Sequence, residues 1–145
     1  MSSPEVSYSF LTPQSFLERS AYVFRNKHAV VYRQQQWTYP EFAARVNQLA
    51  SALRGWGLRK GDRVAFLCPN IPPLLEAHFG VPLAGGVLVA MNTRLSPDDI
   101  RHILNDCGAR LLWRQHLHYR GGTDYLQTPC CARGGCHRHP GRKTG

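Results

Sequence analysis

Apolar positions along the chain follow two rhythms. Phe42, Val46, Leu49, Leu53 and Trp56 fall at spacings of 4, 3, 4 and 3, which puts five large apolar groups on one stripe of a helix. Thr38-Tyr39-Pro40-Glu41 stands just before the stripe and fits a capping box, in which the hydroxyl and the carboxylate each satisfy an orphan backbone N–H. Gly57 follows the last apolar group, where a C-terminal cap belongs. The pattern predicts a helix over 39–56.

Shorter runs are continuous rather than periodic. Residues 64–68 and 87–91 are unbroken apolar stretches, as in strands buried on both faces, and 109–113 reads as a third strand. Between them 71–84 reads as a helix whose last turn Pro82 should kink or shorten. Ser96-Pro97-Asp98-Asp99 opens another, with Ile100, Ile103 and Leu104 as its apolar face and Cys107-Gly108 at its end. Upstream, Thr12-Pro13 starts a short helix with Phe16, Leu17 and Ala21 on its apolar side. Residues 29–33 form a β-branched strand, 34–36 a polar turn, and Trp37-Thr38 a return strand: a β-hairpin. The later strand–helix–strand–helix–strand order describes two consecutive βαβ crossovers, parallel and right-handed. The predicted class is α/β, a β-hairpin plus a short parallel sheet with flanking helices.

The chain has 145 residues, 43% of them hydrophobic, enough for one modest domain with a packed core. No apolar run reaches the roughly 20 residues of a membrane span, and the N-terminus lacks the charged-then-apolar order of a secretory signal. A soluble cytoplasmic protein is expected. The net charge of +9 is uneven: +4 over 1–112 (12 basic against 8 acidic residues) and +5 over 113–145 (6 against 1). The charges of the last stretch are scattered among Gly, Pro, Cys and His, with no helical face and no interleaved aromatics, so nucleic-acid binding is not expected there.

At this point four segments in order resemble the start of AMP-forming acyl-CoA synthetases, the adenylate-forming ligases. Trp37-Thr38-Tyr39-Pro40-Glu41-Phe42 is similar to their T-Y-x-E signature. Leu53-Arg54-Gly55-Trp56-Gly57-Leu58-Arg59-Lys60-Gly61-Asp62-Arg63-Val64-Ala65 resembles their L-x-x-x-G-V-x-x-G-D-x-V-A segment. Pro69-Asn70-Ile71-Pro72, with Glu76, Gly80, Ala84, Gly85 and Gly86, resembles P-N-x-P…E-x-x-x-G-x-x-x-A-G-G, and Val89-Ala90-Met91-Asn92-Thr93-Arg94-Leu95 resembles V-x-x-N-x-R-L. The wording around His78-Phe79-Gly80-Val81-Pro82, and the opening Leu11-Thr12-Pro13, favour the fatty-acyl-CoA ligase branch.

The resemblance implies a parent reaction in which ATP and Mg²⁺ activate a carboxylate as an acyl-adenylate, releasing pyrophosphate, and coenzyme A then takes the acyl group. It also implies that 1–112 is the first part of a large N-terminal domain. The family's phosphate-cradling loop, T-S-G-T-T-G-x-P-K-G, is not in this sequence. No catalytic, cofactor-binding or metal residue of the family therefore maps onto it, and the expectation is a truncated, inactive ligase with no cofactor of its own. The alternative is a non-catalytic interaction protein. It would dock on a full-length synthetase, or bind metal or polyanions through its tail.

After Trp113 the likeness stops. Residues 113–145 are rich in Arg, Gly, Cys, His and Pro, and Leu126 is the only branched aliphatic residue after His118. Such a stretch buries too little surface to offset its ordering entropy; its composition resembles a shifted reading frame in GC-rich coding DNA. The competing reading is zinc, through Cys130, Cys131, Cys136, His137 and His139, but the spacing C-C-x₄-C-H-x-H matches no common finger. Four other features have plain structural readings. Gly85-Gly86 reads as a turn, since it lies between helix and strand rather than at a helix start. Glu76 and His78 read as a solvated acid and a packed imidazole on different helix faces. Asp98 and Asp99 read as helix-start charges, and the stripe from Phe42 to Trp56 as core.

Overall fold

The computed structural model describes residues 11–114 and the backbone of a two-residue strand at 130–131. In chain order the elements are α1 (Pro13–Val23), β1 (His28–Tyr32), β2 (Gln35–Thr38), α2 (Tyr39–Gly55), β3 (Arg63–Leu67), α3 (Pro72–Leu83), β4 (Val87–Met91), α4 (Pro97–Asp106), β5 (Leu111–Arg114) and β6 (Cys130–Cys131).

Local chemistry sets the helix ends. Reciprocal capping boxes open α1 (Thr12 with Ser15), α2 (Thr38 with Glu41) and α4 (Ser96 with Asp99), each with Pro in the first turn. At the end of α2 the N–H of Leu58 donates to the carbonyl of Leu53 (3.1 Å) and that of Gly57 to Arg54 (2.9 Å). Gly57 takes φ +77, so this is a Schellman turn, and Leu53 and Leu58 share one core cluster beside it. The same pair of bonds closes α3 (Gly86 to Val81, Gly85 to Pro82) and α4 (Ala109 to Leu104, Gly108 to Asn105). Each of these turns redirects the chain from a helix towards the next strand.

β1 and β2 pair antiparallel as a separate hairpin. The larger sheet has the order β4-β3-β5-β6, with β4 and β5 both parallel to the central β3. The α3 crossover steps outward to β4; the α4 crossover steps back across β3 to β5. Crossovers of one hand running in opposite directions leave their helices on opposite faces of the sheet. The core matches: Val64, Phe66 and Cys68 pack with Leu53, Leu58, Ala77 and Val81 on the α2–α3 side, while Ala65, Leu67 and Met91 pack with Ile100, Ile103 and Leu104 of α4. Successive side chains of β3 thus serve opposite layers, as a pleated strand requires.

Several sequence expectations shift. The hairpin turn is Arg33-Gln34, with Arg33 at φ +55, and not 34–36; Gln35 and Gln36 are exposed on a two-stranded ribbon, where polar residues still pair as strand. β4 was expected to be buried but is exposed at Val87 and Ala90, because it ends the sheet order and has no outer neighbour among the described residues. Trp56 is 37% exposed and Phe16 53%: Trp56 caps α2 beyond its last packed turn, and only Leu17 of α1 is fully buried. β5 begins at Leu111 because Ala109 belongs to the turn closing α4.

β5 runs through position 112, and β6 joins it antiparallel, Leu111 opposite Cys131 and Leu112 opposite Cys130. The remaining residues of the expected low-order tail, including Cys136, His137 and His139 of the zinc reading, lie outside the described residues, as do 1–10. Among the described residues no helix is long and apolar enough to cross a membrane.

Candidate functional site

The densest chemistry among the described residues lies where α2 crosses α3. The crossing is close because small residues face it: Ala50 and Ala77 are fully buried, and a Cβ added to Gly80 would stand 2.9 Å from Leu49 Cδ2 and 3.2 Å from the Val46 carbonyl oxygen. Phe42 meets Phe79 edge-on across the same contact, with centroids 5.6 Å apart. Glu76 is 1% exposed within it. Arg45 of α2 donates from Nε to Glu76 Oε1 at 2.6 Å, and its guanidinium lies 4.8 Å from the centre of the Trp37 ring. One cation thereby joins the hairpin, α2 and α3. Burial pushes the Glu76 carboxyl above its ordinary value, and Arg45 pulls it part of the way back.

This reverses the sequence reading of the pair at 76 and 78. Glu76 is the packed residue and His78 the exposed one, its Nδ1 2.7 Å from the Leu74 carbonyl oxygen. α3 is apolar nearly all round, so its pattern did not reveal which face was inside. The buried set Pro72, Glu76, Ala77, Gly80 and Val81 has helical spacing, and a Glu within that set was the available signal for an ion pair. Its partner Arg45 lies 31 residues away, a separation that leaves no local trace.

Other candidates resolve into scaffold. Asp99 Oδ2 accepts from the Ser96 backbone N–H (3.2 Å) and hydroxyl (2.6 Å), while Asp98 pairs with Arg101 at 2.7 Å. A Cβ on Gly86 would meet Leu58 Cδ2 at 3.0 Å and the Asp62 carbonyl oxygen at 3.2 Å, so that turn is filled by protein. Cys68 is buried, which pushes its thiol up to about 11 and keeps it protonated and unreactive. Among the described residues no group of three or more His, Cys, Asp or Glu could hold a metal ion.

A shallow apolar groove of about 330 Å³ lies between β1 and the start of α3, lined by Val30, Val31, Tyr32, Ile71, Leu75 and His78 among others. It lies next to the loop that leaves the carboxyl end of β3, the end where open α/β sheets bind ligands. Its lining is mostly apolar, and neither carboxylate nor Lys nor Arg lines it; His78 at its rim is the one imidazole there.

The profile of the family described as "AMP-binding enzyme" matches residues 17–129. The chain belongs to that family. It is 46% identical over 105 residues to 4-hydroxybutyrate–CoA ligase 2 of Metallosphaera sedula, covering 72% of this chain and 19% of that protein. It is 39% identical over 107 residues to the peroxisomal trans-cinnamate:CoA ligase of Petunia hybrida, covering 74% and 19%. Among solved structures, the anthranilate CoA ligase AuaEII in complex with anthranoyl-AMP superposes with a TM-score of 0.66 at 33% identity, covering 69% of this chain and 19% of that one. The chain thus spans about a fifth of the length of these relatives. Their names share acyl-CoA ligation and differ in the acid.

Within the family's opening segment, the recognisable residues hold the fold together. Thr38 and Glu41 form the α2 capping box, and Gly57 its closing turn. Asp62 accepts from the Arg59 N–H (2.8 Å) and from Arg110 (2.7 Å), tying the loop before β3 to the loop before β5. Glu76, Gly80 and Gly86 are the ion pair, the close helix crossing and the filled turn described above. ATP phosphates, Mg²⁺ and coenzyme A, which the family's chemistry requires, find no fitting group among these residues: Asp98 and Asp99 are engaged at the first turn of α4, and Gly86 is closely surrounded by Leu58, Val81 and the Asp62 carbonyl.

Proposed function

We propose that this chain is the leading structural segment of an acyl-CoA ligase, and that alone it does not carry out the parent reaction, ATP + carboxylate + CoA to acyl-CoA + AMP + pyrophosphate. The observation carrying this reading is that the recognisable residues of the first three opening signatures serve as caps, turns, a helix crossing and a buried ion pair. A pyrophosphate-release assay with ATP, coenzyme A and medium-chain fatty acids tests it, with an intact ligase as positive control. Background rates are expected; turnover that depends on acid and CoA together would overturn the proposal.

A second reading, docking on a full-length synthetase, draws support from the open side of β4, where Val87 is 50% exposed at the sheet edge. Co-purification of the tagged chain with such an enzyme, reduced by Val87→Lys, is the expected result. Equal recovery with an unrelated bait would sink it.

A further inference from the structure

The end of α1 and the turn into β1 carry a surface that the family reading leaves unused. Between Glu18 and Glu41 there is no acidic residue, while Arg19, Arg25, Lys27 and Arg33 all fall in that interval. Large apolar groups are exposed among them: Phe16 at 53%, Tyr22 at 74%, Val23 at 54% and Phe24 at 44%. On α1, Phe16, Arg19 and Val23 lie three and four residues apart, on one stripe, and Tyr22 adjoins it on the side away from buried Leu17. Cations stand over the aromatic rings, Arg25 at 5.5 Å from the Tyr22 centroid and Lys27 at 5.2 Å from that of Phe24. The turn is held against the rest of the molecule, since the Tyr39 N–H donates to the Lys27 carbonyl (3.1 Å) and Phe24 packs beside Tyr39 at 6.2 Å.

We propose that this surface is a docking site for an anionic lipid bilayer, with α1 lying in the plane of the headgroups. The charge matches such a surface, because Arg19, Arg25 and Lys27 outnumber the single acid among them, Glu18, and a net positive patch is attracted to the negative potential of acidic phospholipids. The aliphatic member of the stripe favours lipid: Val23 sinks below headgroups and gives a nucleobase nothing to stack on, and Phe16 on the same stripe enters the same apolar layer. Tyr and Phe capped by Arg and Lys suit the boundary itself, where the ring is half-immersed and the cation meets phosphate. The attachment is peripheral, by one helix face and one turn.

The test is co-sedimentation of the whole 145-residue chain with vesicles of phosphatidylcholine alone and of phosphatidylcholine mixed with phosphatidylglycerol. Binding is expected only to the mixed vesicles and should weaken with added salt. Arg25→Gln with Lys27→Gln should lower partitioning about twenty-five-fold, from roughly fivefold per cation, and Phe16→Ser with Val23→Ser should lower it at least as far. All four side chains are exposed, so these variants should keep the wild-type far-ultraviolet circular dichroism. Arg138→Gln with Arg142→Gln, in the basic C-terminal stretch, serves as the control and should retain binding. Equal loss in the control pair, or no loss in the serine pair, would overturn the proposal by reducing the effect to net charge. Tighter binding of a single-stranded oligonucleotide, abolished by the same glutamine pair, would assign the surface to nucleic acid and overturn it as well.

Discussion

Arg45 and Glu76 form an ion pair across the α2–α3 contact, Nε to Oε1 at 2.6 Å, with the Arg side chain 16% exposed and the Glu 1%. A buried pair of this kind is poor evidence of net stabilisation, because both ions are removed from water; breaking it is nevertheless costly, because one charge stays inside uncompensated. Arg45→Ala is therefore expected to destabilise the fold by about 3–5 kcal/mol. Glu76→Gln, which keeps the shape and removes the charge, should cost about 1–3 kcal/mol. The double variant Arg45→Met/Glu76→Leu should lose less than Arg45→Ala alone. Urea unfolding of the four proteins checks this, and a double variant no more stable than Arg45→Ala would contradict the argument.

The same residue gives an unusual sign to the acid response. Glu76 is raised above its ordinary value of 4.5 by burial, with Arg45 opposing. Its contribution to stability is fully present below that value and is lost as pH rises through the higher folded one. Glu41 and Asp99 are lowered by their cap hydrogen bonds, and Asp62 chiefly by the Arg59 N–H. Their contributions are present above their ordinary values, 4.5 for Glu41 and 3.8 for the two Asp, and are lost as pH falls through the lower folded ones. Glu76→Gln should thus make stability fall more steeply between pH 6 and pH 3, while Glu41→Gln should flatten the fall at its acid end. Thermal unfolding across that range reads both slopes; a parallel curve for Glu76→Gln would contradict the burial argument.

Gly80 sets how near the two helices come. Ala there would place its Cβ 2.9 Å from Leu49 Cδ2 and 3.2 Å from the Val46 carbonyl oxygen. Leu49 can rotate; the carbonyl, part of the α2 backbone, cannot without moving the helix. Gly80→Ala is expected to destabilise by about 1–3 kcal/mol, against the usual gain of Ala over Gly inside a helix. Gly55, near the end of α2, has nothing within 4 Å of an added Cβ, so Gly55→Ala is the control and should be neutral or stabilising. Chemical denaturation midpoints distinguish the two, and equal behaviour would remove the close-contact explanation.

What the sequence revealed follows from range of interaction. Caps are contacts over three residues, so Thr12, Thr38 and Ser96 were legible together with the glycines that close the helices. The parallel crossovers were legible from strand–helix alternation. Strand order was not: nothing local states that β5 returns to the far side of β3, and so β4, as apolar as β3, was read as buried when it lies at an edge. α3 failed for a related reason, since an apolar surface on every side hides the face that packs, and Glu76 and His78 were exchanged. Arg45 sits on the flank of the α2 stripe, where a charged residue normally faces water; Glu76 on another helix and the Trp37 ring on the hairpin, neither of them local, account for its place. For the site, the four recognisable segments identified a family, while their physical role in capping and packing emerged only once the elements were in contact.

The edge at β4 bears on how the chain behaves in solution. No charged residue, and no Pro, occurs between Gly85 and Asn92, and Val87 and Ala90 are exposed. Charged residues, prolines and bulges are the devices by which edge strands avoid pairing with other chains, and β4 has none of them: its register with β3 runs unbroken from Arg63–Val87 to Leu67–Met91. The isolated chain should therefore associate as its concentration rises. Val87→Lys with Ala90→Lys places two charges on that strand without touching buried Met91, and should raise the soluble, monomeric fraction in sedimentation experiments. Leu75→Lys, at a position 41% exposed on α3, removes a comparable apolar group away from the edge and should change the fraction less. If Leu75→Lys were the more effective variant, association would run through the α3 groove and not through β4.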